Sequence, residues 1–111
     1  MIDKAKKYLS DIIRAIELIE IFMDGVDDFD EYVDDLKTKS AVERQLGIIG
    51  EAVNNFRKIE LEFQLTNTRD IIGFRNRIIH NYDEVDETLV WAIIHNHLPF
   101  LKEEAEEGLS R

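Results

Sequence analysis

The 111-residue chain has no cysteine, one proline and five glycines. Without cysteine there is no disulfide framework and no thiolate metal site, which fits a reducing compartment and a cytoplasmic location. So few breakers leave little punctuation, and the chain reads as long regular elements. It also lacks any apolar run long enough to span a bilayer. Its opening, Met1-Ile2-Asp3-Lys4, carries charge where a secretion signal would be apolar, so we expect neither a signal peptide nor a membrane span. Negative charge is what it has in excess: 24 acidic against 14 basic side chains, a formal −10. An acidic chain is a poor non-specific binder of nucleic acid, because affinity for phosphates comes largely from Lys and Arg. The excess is uneven, however. Residues 1–37 hold 5 basic and 11 acidic side chains, residues 38–82 hold 7 and 5, and residues 83–111 hold 2 and 8. A local basic surface in the middle segment remains open, and the acidic flanks suit a basic protein partner.

The apolar spacing is helical. Leu9, Ile12, Ile13, Ile16, Ile19 and Met23 mark a helix from about Asp3 to Asp24, with Gly25 as its stop. Phe29, Tyr32, Val33 and Leu36 suggest a short acidic helix whose edges five nearby Asp residues blur. Val42, Leu46, Ile49, Val53, Phe56 and Ile59 form the stripe of a third helix, and Ser40 with Glu43 resembles its capping box. A fourth helix is expected from about Thr68 to Tyr82, capped by Thr66, Asn67 or Thr68. A fifth starts at Asp86 as N-cap and carries Leu89, Val90, Ile93, Ile94 and Leu98. Pro99 lacks a backbone N–H, so a kink or restart is expected before Phe100, and the last nine residues read as a frayed acidic tail. Short breaks between helices make antiparallel neighbours. The expectation is one all-α domain over residues 1–111, an antiparallel up-and-down bundle of four to five helices.

The stretch FRNRIIHNYD, residues 74–83, concentrates the polar chemistry. On a continuous helix Arg75, Ile78, Ile79 and Tyr82 share a face, Asn76 and His80 share the next, and Arg75 and His80 stand about 140° apart. The two could serve one groove if both reach round, if the helix loosens near His80, or if a second copy of the chain closes the site. Arg offers phosphate oxygens a planar fork of donors, and His titrates near neutrality. Together they suit phosphodiester cleavage without a metal, with the RNA 2′-OH as nucleophile. The same residues also suit an ordinary helix end, where Arg and His complement the dipole and Tyr packs its ring. Spacing alone leaves both readings open.

Beyond spacing, RNRIIHNYD resembles the R-N-x-x-x-H-x-Y signature of the HEPN superfamily, in particular its HepT-like toxins. VDETLVWAIIHNHLPFLKEE and SAVERQLGIIGEA resemble that family's last and central helices, so the likeness spans roughly Ser40 to Glu104. The resemblance implies a HEPN-like helical homodimer with the motif in a cleft between protomers, acting as a metal-independent ribonuclease with RNA as substrate and no cofactor. It assigns Arg75 to phosphate binding and transition-state stabilisation, His80 to acid/base work, and Asn76 to orienting His80 or the phosphate. It also implies a toxin–antitoxin pair. The partner is a minimal nucleotidyltransferase antitoxin, in a homodimer-based or larger hetero-oligomer, which silences the toxin by attaching AMP to Tyr82. A bulky anion beside Arg75 would block and neutralise an RNA site. The alternative is a non-catalytic module that docks a nucleotidyltransferase. The chain departs from the family's frequent Pro-Trp before this helix and Met before the Arg, both packing positions, and adds Arg77 inside the motif.

Other features point to structure. Gly47 and Gly50 suggest a close helix–helix approach, and Glu51 a pairing with an Arg. His95 and His97 fall on different faces of a helix and make a poor metal site. The Asp-rich stretch lacks the spacing of a calcium loop. Trp91 suits a core or a dimer interface. Arg44, Arg57, Lys58 and Arg69 either extend a basic groove or pair with Glu on neighbouring turns.

Overall fold

A computed structural model describes residues 1–79 and 85–111. Its elements, in chain order, are α1 (Asp3–Phe22), α2 (Phe29–Asp34), α3 (Leu36–Ile59), α4 (Arg69–Ile79), α5 (Glu87–Ala92), a π-helical turn over Ile93–His97, and α6 (Leu98–Leu109). Among the described residues there is no strand, and no helix is long and apolar enough to cross a membrane.

Local chemistry sets the ends. After α1 the chain turns at Gly25, whose φ of 84° is readily open only to glycine. The edges of α2 are fixed by a reciprocal box: the Asp28 carboxylate accepts from Glu31 N–H at 2.9 Å, and the Glu31 carboxylate accepts from Asp27 N–H at 3.0 Å. The capping box expected at Ser40 and Glu43 does not form. Asp35 caps α3 instead, accepting from both the backbone N–H (3.0 Å) and the hydroxyl (2.6 Å) of Thr38, so the helix is already a turn old at Ser40. Asp86 caps α5 as its position suggested, accepting from Leu89 N–H at 3.1 Å.

The restart expected near Pro99 takes a specific form. Leu98 N–H donates to the Ile93 carbonyl, one residue further back than in an α-helix. That wide turn makes room for a proline ring that would otherwise press on the carbonyl four residues earlier. Pro99 then sits in the first turn of α6, where its missing N–H costs nothing. The expected frayed tail is instead helix to Leu109. Leu101, Ala105 and Gly108 are buried at i, i+4, i+7, and the acidic side chains between them face outward.

The core joins Leu9, Ile12, Ile16 and Ile19 of α1 to Leu46, Ile49, Val53 and Phe56 of α3, with Ile71 and Phe74 of α4 and Ile93 and Leu101 beyond. Two registers show the antiparallel order. Gly108 meets Leu9 at one end of the α1–α6 pair, while Lys102 bonds Glu20 (2.9 Å) further along. Gly50 meets Arg75, while Arg57 and Arg69 line one groove a few turns away. The chain is an all-α antiparallel bundle.

Candidate active site

Arg75 sits in the second turn of α4, directly after the buried Phe74, which fills the packing position before the arginine. Its backbone is brought close to α3 by a glycine. A Cβ added to Gly50 would lie 2.6 Å from the Arg75 Cβ and 3.3 Å from the Ile71 carbonyl, so only a bare backbone fits. Gly47 has nothing within 4 Å of such a Cβ; the close approach expected of both glycines belongs to Gly50 alone.

The guanidinium is then fixed from two sides. Nε and Nη2 donate to one carboxylate oxygen of Glu51, at 2.8 and 2.5 Å, and Nη1 donates to the Asn76 amide oxygen at 3.3 Å. Three of the five donors of the fork are engaged, which sets its plane and leaves N–H on both terminal nitrogens. The Arg75 side chain is 20% exposed and that of Glu51 53%. The expected structural pairing of Glu51 with an arginine is therefore made with the motif arginine itself. Arg75 and Asn76 are brought together; His80 and Tyr82 lie outside the described residues, as does the end of the expected fourth helix.

Beside this pair an open groove of about 710 Å³ runs between the start of α1, the middle of α3 and the end of α4. Lys7, Tyr8, Arg44, Glu51 and Ile78 are among its walls. Ile78 and Ile79 are 42% and 54% exposed, so the apolar face of α4 outruns its cover.

One group on the same wall was not legible as more than a helix cap. Glu43 has its carboxyl pushed up to about 7, by burial first and then by the neighbouring Glu87 carboxylate. Burial, with Glu87 and Glu43 nearby, also raises the Tyr32 hydroxyl. One Glu87 oxygen and the Tyr32 hydroxyl are buried without a hydrogen-bond partner among the described residues. Burial disfavours the charged carboxylate, and a proton on Glu43 also turns an acceptor into a donor toward Glu87. Elsewhere, Trp91 is half-buried between Phe29, Tyr32 and His95, its ring centroid 4.2 Å from that of His95. His97 Nε2 lies 3.0 Å from Asp70, tying the π turn to the start of α4. No group of three potential ligands for a metal ion occurs among the described residues.

The family model described as "Ribonuclease HepT-like" matches residues 12–107. The chain belongs to the HepT-like ribonuclease family. A relative from Thermococcus cleftensis named "Probable ribonuclease HepT" is 38% identical over 106 residues, covering 92% of this chain and 93% of the relative. Relatives from Methanocaldococcus jannaschii and Caldanaerobacter subterraneus, provisionally named as RNases, are 35% identical over 105 residues and 31% over 110. They cover 91% and 96% of this chain, and 93% and 95% of their own lengths. No solved structure gives a significant match. Within the HepT-like frame, the fixed Arg75–Asn76 pair is the part of the motif that the described residues contain.

Proposed function

We propose that this HepT-like chain is a metal-independent endoribonuclease, working as a homodimer, and the toxin of a toxin–antitoxin pair. The observation that carries the reading is the family membership, joined to the motif that starts at Arg75. Arg75, with its plane set by Glu51 and Asn76, binds the scissile phosphate and stabilises the charge that grows on it. His80 takes the proton of the 2′-OH as that oxygen attacks the adjacent phosphorus. The 5′-oxygen departs with a proton returned by an acid, giving a 2′,3′-cyclic phosphate and a free 5′-hydroxyl. Asn76 orients His80 or the phosphate. Tyr82 is the site at which a minimal nucleotidyltransferase antitoxin attaches AMP, placing a bulky anion beside Arg75.

The test is cleavage of RNA by purified protein in EDTA. Wild type is expected to cut, while Arg75→Ala and His80→Ala fold and do not. Cleavage by the variants, or a requirement for added metal, sinks the proposal. The net charge of −10 favours one other reading, a non-catalytic module that docks a nucleotidyltransferase. In that case AMP transfer stops with Tyr82→Phe, yet wild type cuts no RNA.

A further inference from the structure

The basic residues of the middle segment do not spread evenly over α3 and α4. Arg44 lines the groove beside Glu51, whereas Arg57 and Arg69 line a second groove, of about 470 Å³, where α3 ends and α4 begins. The sequence left these arginines between pairing with nearby Glu and extending a basic groove. Among the described residues neither Arg57 nor Arg69, nor the neighbouring Lys58, makes an ion pair. Both arginines are exposed. Glu60, also in the groove, spends one carboxylate oxygen on the Glu62 N–H at 3.1 Å.

This groove leads to the motif. Arg69, Ile72 and Asn76 follow i, i+3, i+7 along one flank of α4, with Arg75 beside them. Arg69 stands six residues, or roughly 9 Å, before Arg75. Ile72, half-buried in the groove, lies about 60° round the helix from Arg75 and joins the two. Leu61, 77% exposed in the same groove, gives a base an aliphatic surface to lie on. Glu60, Glu62 and Asp70 offset Arg57, Lys58 and Arg69 over residues 57–70, while the rest of the molecule carries the acidic excess. A polyanion is therefore repelled least along this flank, and meets there two arginines without an ion pair among the described residues.

We infer that the Arg57–Arg69 groove is a strand-binding subsite. It holds the phosphodiester backbone of single-stranded RNA about two nucleotides from the phosphate at Arg75. The inference rests on the proposed RNase reading for the identity of its ligand. Its role is affinity and substrate length, not chemistry: Arg57 and Arg69 touch the strand away from the reacting atoms.

The experiment compares wild type with the double variant Arg57→Ala/Arg69→Ala on a 12-nucleotide single-stranded RNA and on a dinucleotide. Thermal melts of both proteins check the fold. Lengthening the substrate is expected to improve kcat/KM for wild type, and the double variant to lose about tenfold of that gain through KM, with kcat on the 12-mer held within twofold. Direct binding of the 12-mer, read by fluorescence anisotropy, weakens by a similar factor. Its logarithmic salt slope is shallower by about 1.4, the share of two phosphate contacts on a single strand. Arg57→Lys/Arg69→Lys restores most of the binding. An unchanged KM and binding constant in the alanine variant overturns the inference, as does an equal loss on both substrates. If wild type binds the 12-mer with this dependence but cuts nothing, the RNase reading fails and the subsite stands. If wild type does not bind the 12-mer, the subsite fails.

Discussion

A single missing methyl decides where the motif arginine stands. Gly50 lets the Arg75 backbone approach α3, and Glu51, the next residue, closes on its guanidinium. Gly50→Ala therefore forces α4 or the arginine to move. We expect a loss of about 1–3 kcal/mol in urea denaturation, the usual penalty for overpacking, and at least a tenfold fall in RNA cleavage. Gly47→Ala, three residues away with open space around it, is expected to gain about 0.5–1 kcal/mol from helix propensity alone. Equal effects at the two glycines would rule out this account. The sequence made both look alike, because a small residue on a helix records no partner. The partner is 25 residues distant from Gly50, and only tertiary structure tells which glycine faces it. Glu51 was legible as an arginine's partner, but not as the partner of Arg75 in particular.

At the level of elements, the apolar stripes located the helices because burial with a 3.6-residue period leaves a direct trace. The ends were harder to read. Ser40 and Glu43 have the right spacing for a cap, yet Asp35 makes the cap, and several aspartates nearby compete on paper for the role. Asp35→Ala is expected to cost about 1 kcal/mol, and Ser40→Ala less than about 0.5, in chemical denaturation. The reverse order would move the helix start back to Ser40. The tail misled for a related reason: its acidic residues dominate the composition, while Ala105 and Gly108, small enough to go unnoticed, make the contact. Pro99 announced a disturbance but not its form. A proline can be met by a kink, a break or a π turn, and the choice depends on what the preceding turn packs against, here Ile93 and Ile94 in or at the core.

On the scale of the whole molecule, the Glu43–Glu87 contact links stability to pH. Glu43 ionises near pH 4.5 when unfolded and at about 7 when folded. Below about 4.5 both states hold the proton and nothing is lost. Through the interval the unfolded chain releases it more readily, so stability falls as pH rises, and above about 7 the full loss is present. Glu43→Gln is therefore expected to stabilise the fold at pH 8 and to leave it nearly unchanged at pH 4.5. Solvent screening at this partly exposed site limits the gain to about 1 kcal/mol. Thermal melts at the two pH values check it; an equal gain at both would remove the carboxyl pair as the cause. Charge also sorts along the bundle. The end of α1, its following loop and α2 gather Glu20, Asp24, Asp27, Asp28, Asp30 and Asp34, while Arg57, Lys58 and Arg69 lie where α3 gives way to α4. Glu60, Glu62 and Asp70 offset those three basic groups, so a molecule up to 42 Å long has one acidic and one near-neutral pole, and a polyanion turns it as wind turns a vane. Beyond the roughly 8 Å over which physiological salt damps such fields it tumbles freely; inside that distance it is turned least acidic end first. The first thing a nucleic acid strand meets is then the junction of α3 and α4, and encounters in other orientations are turned away before contact.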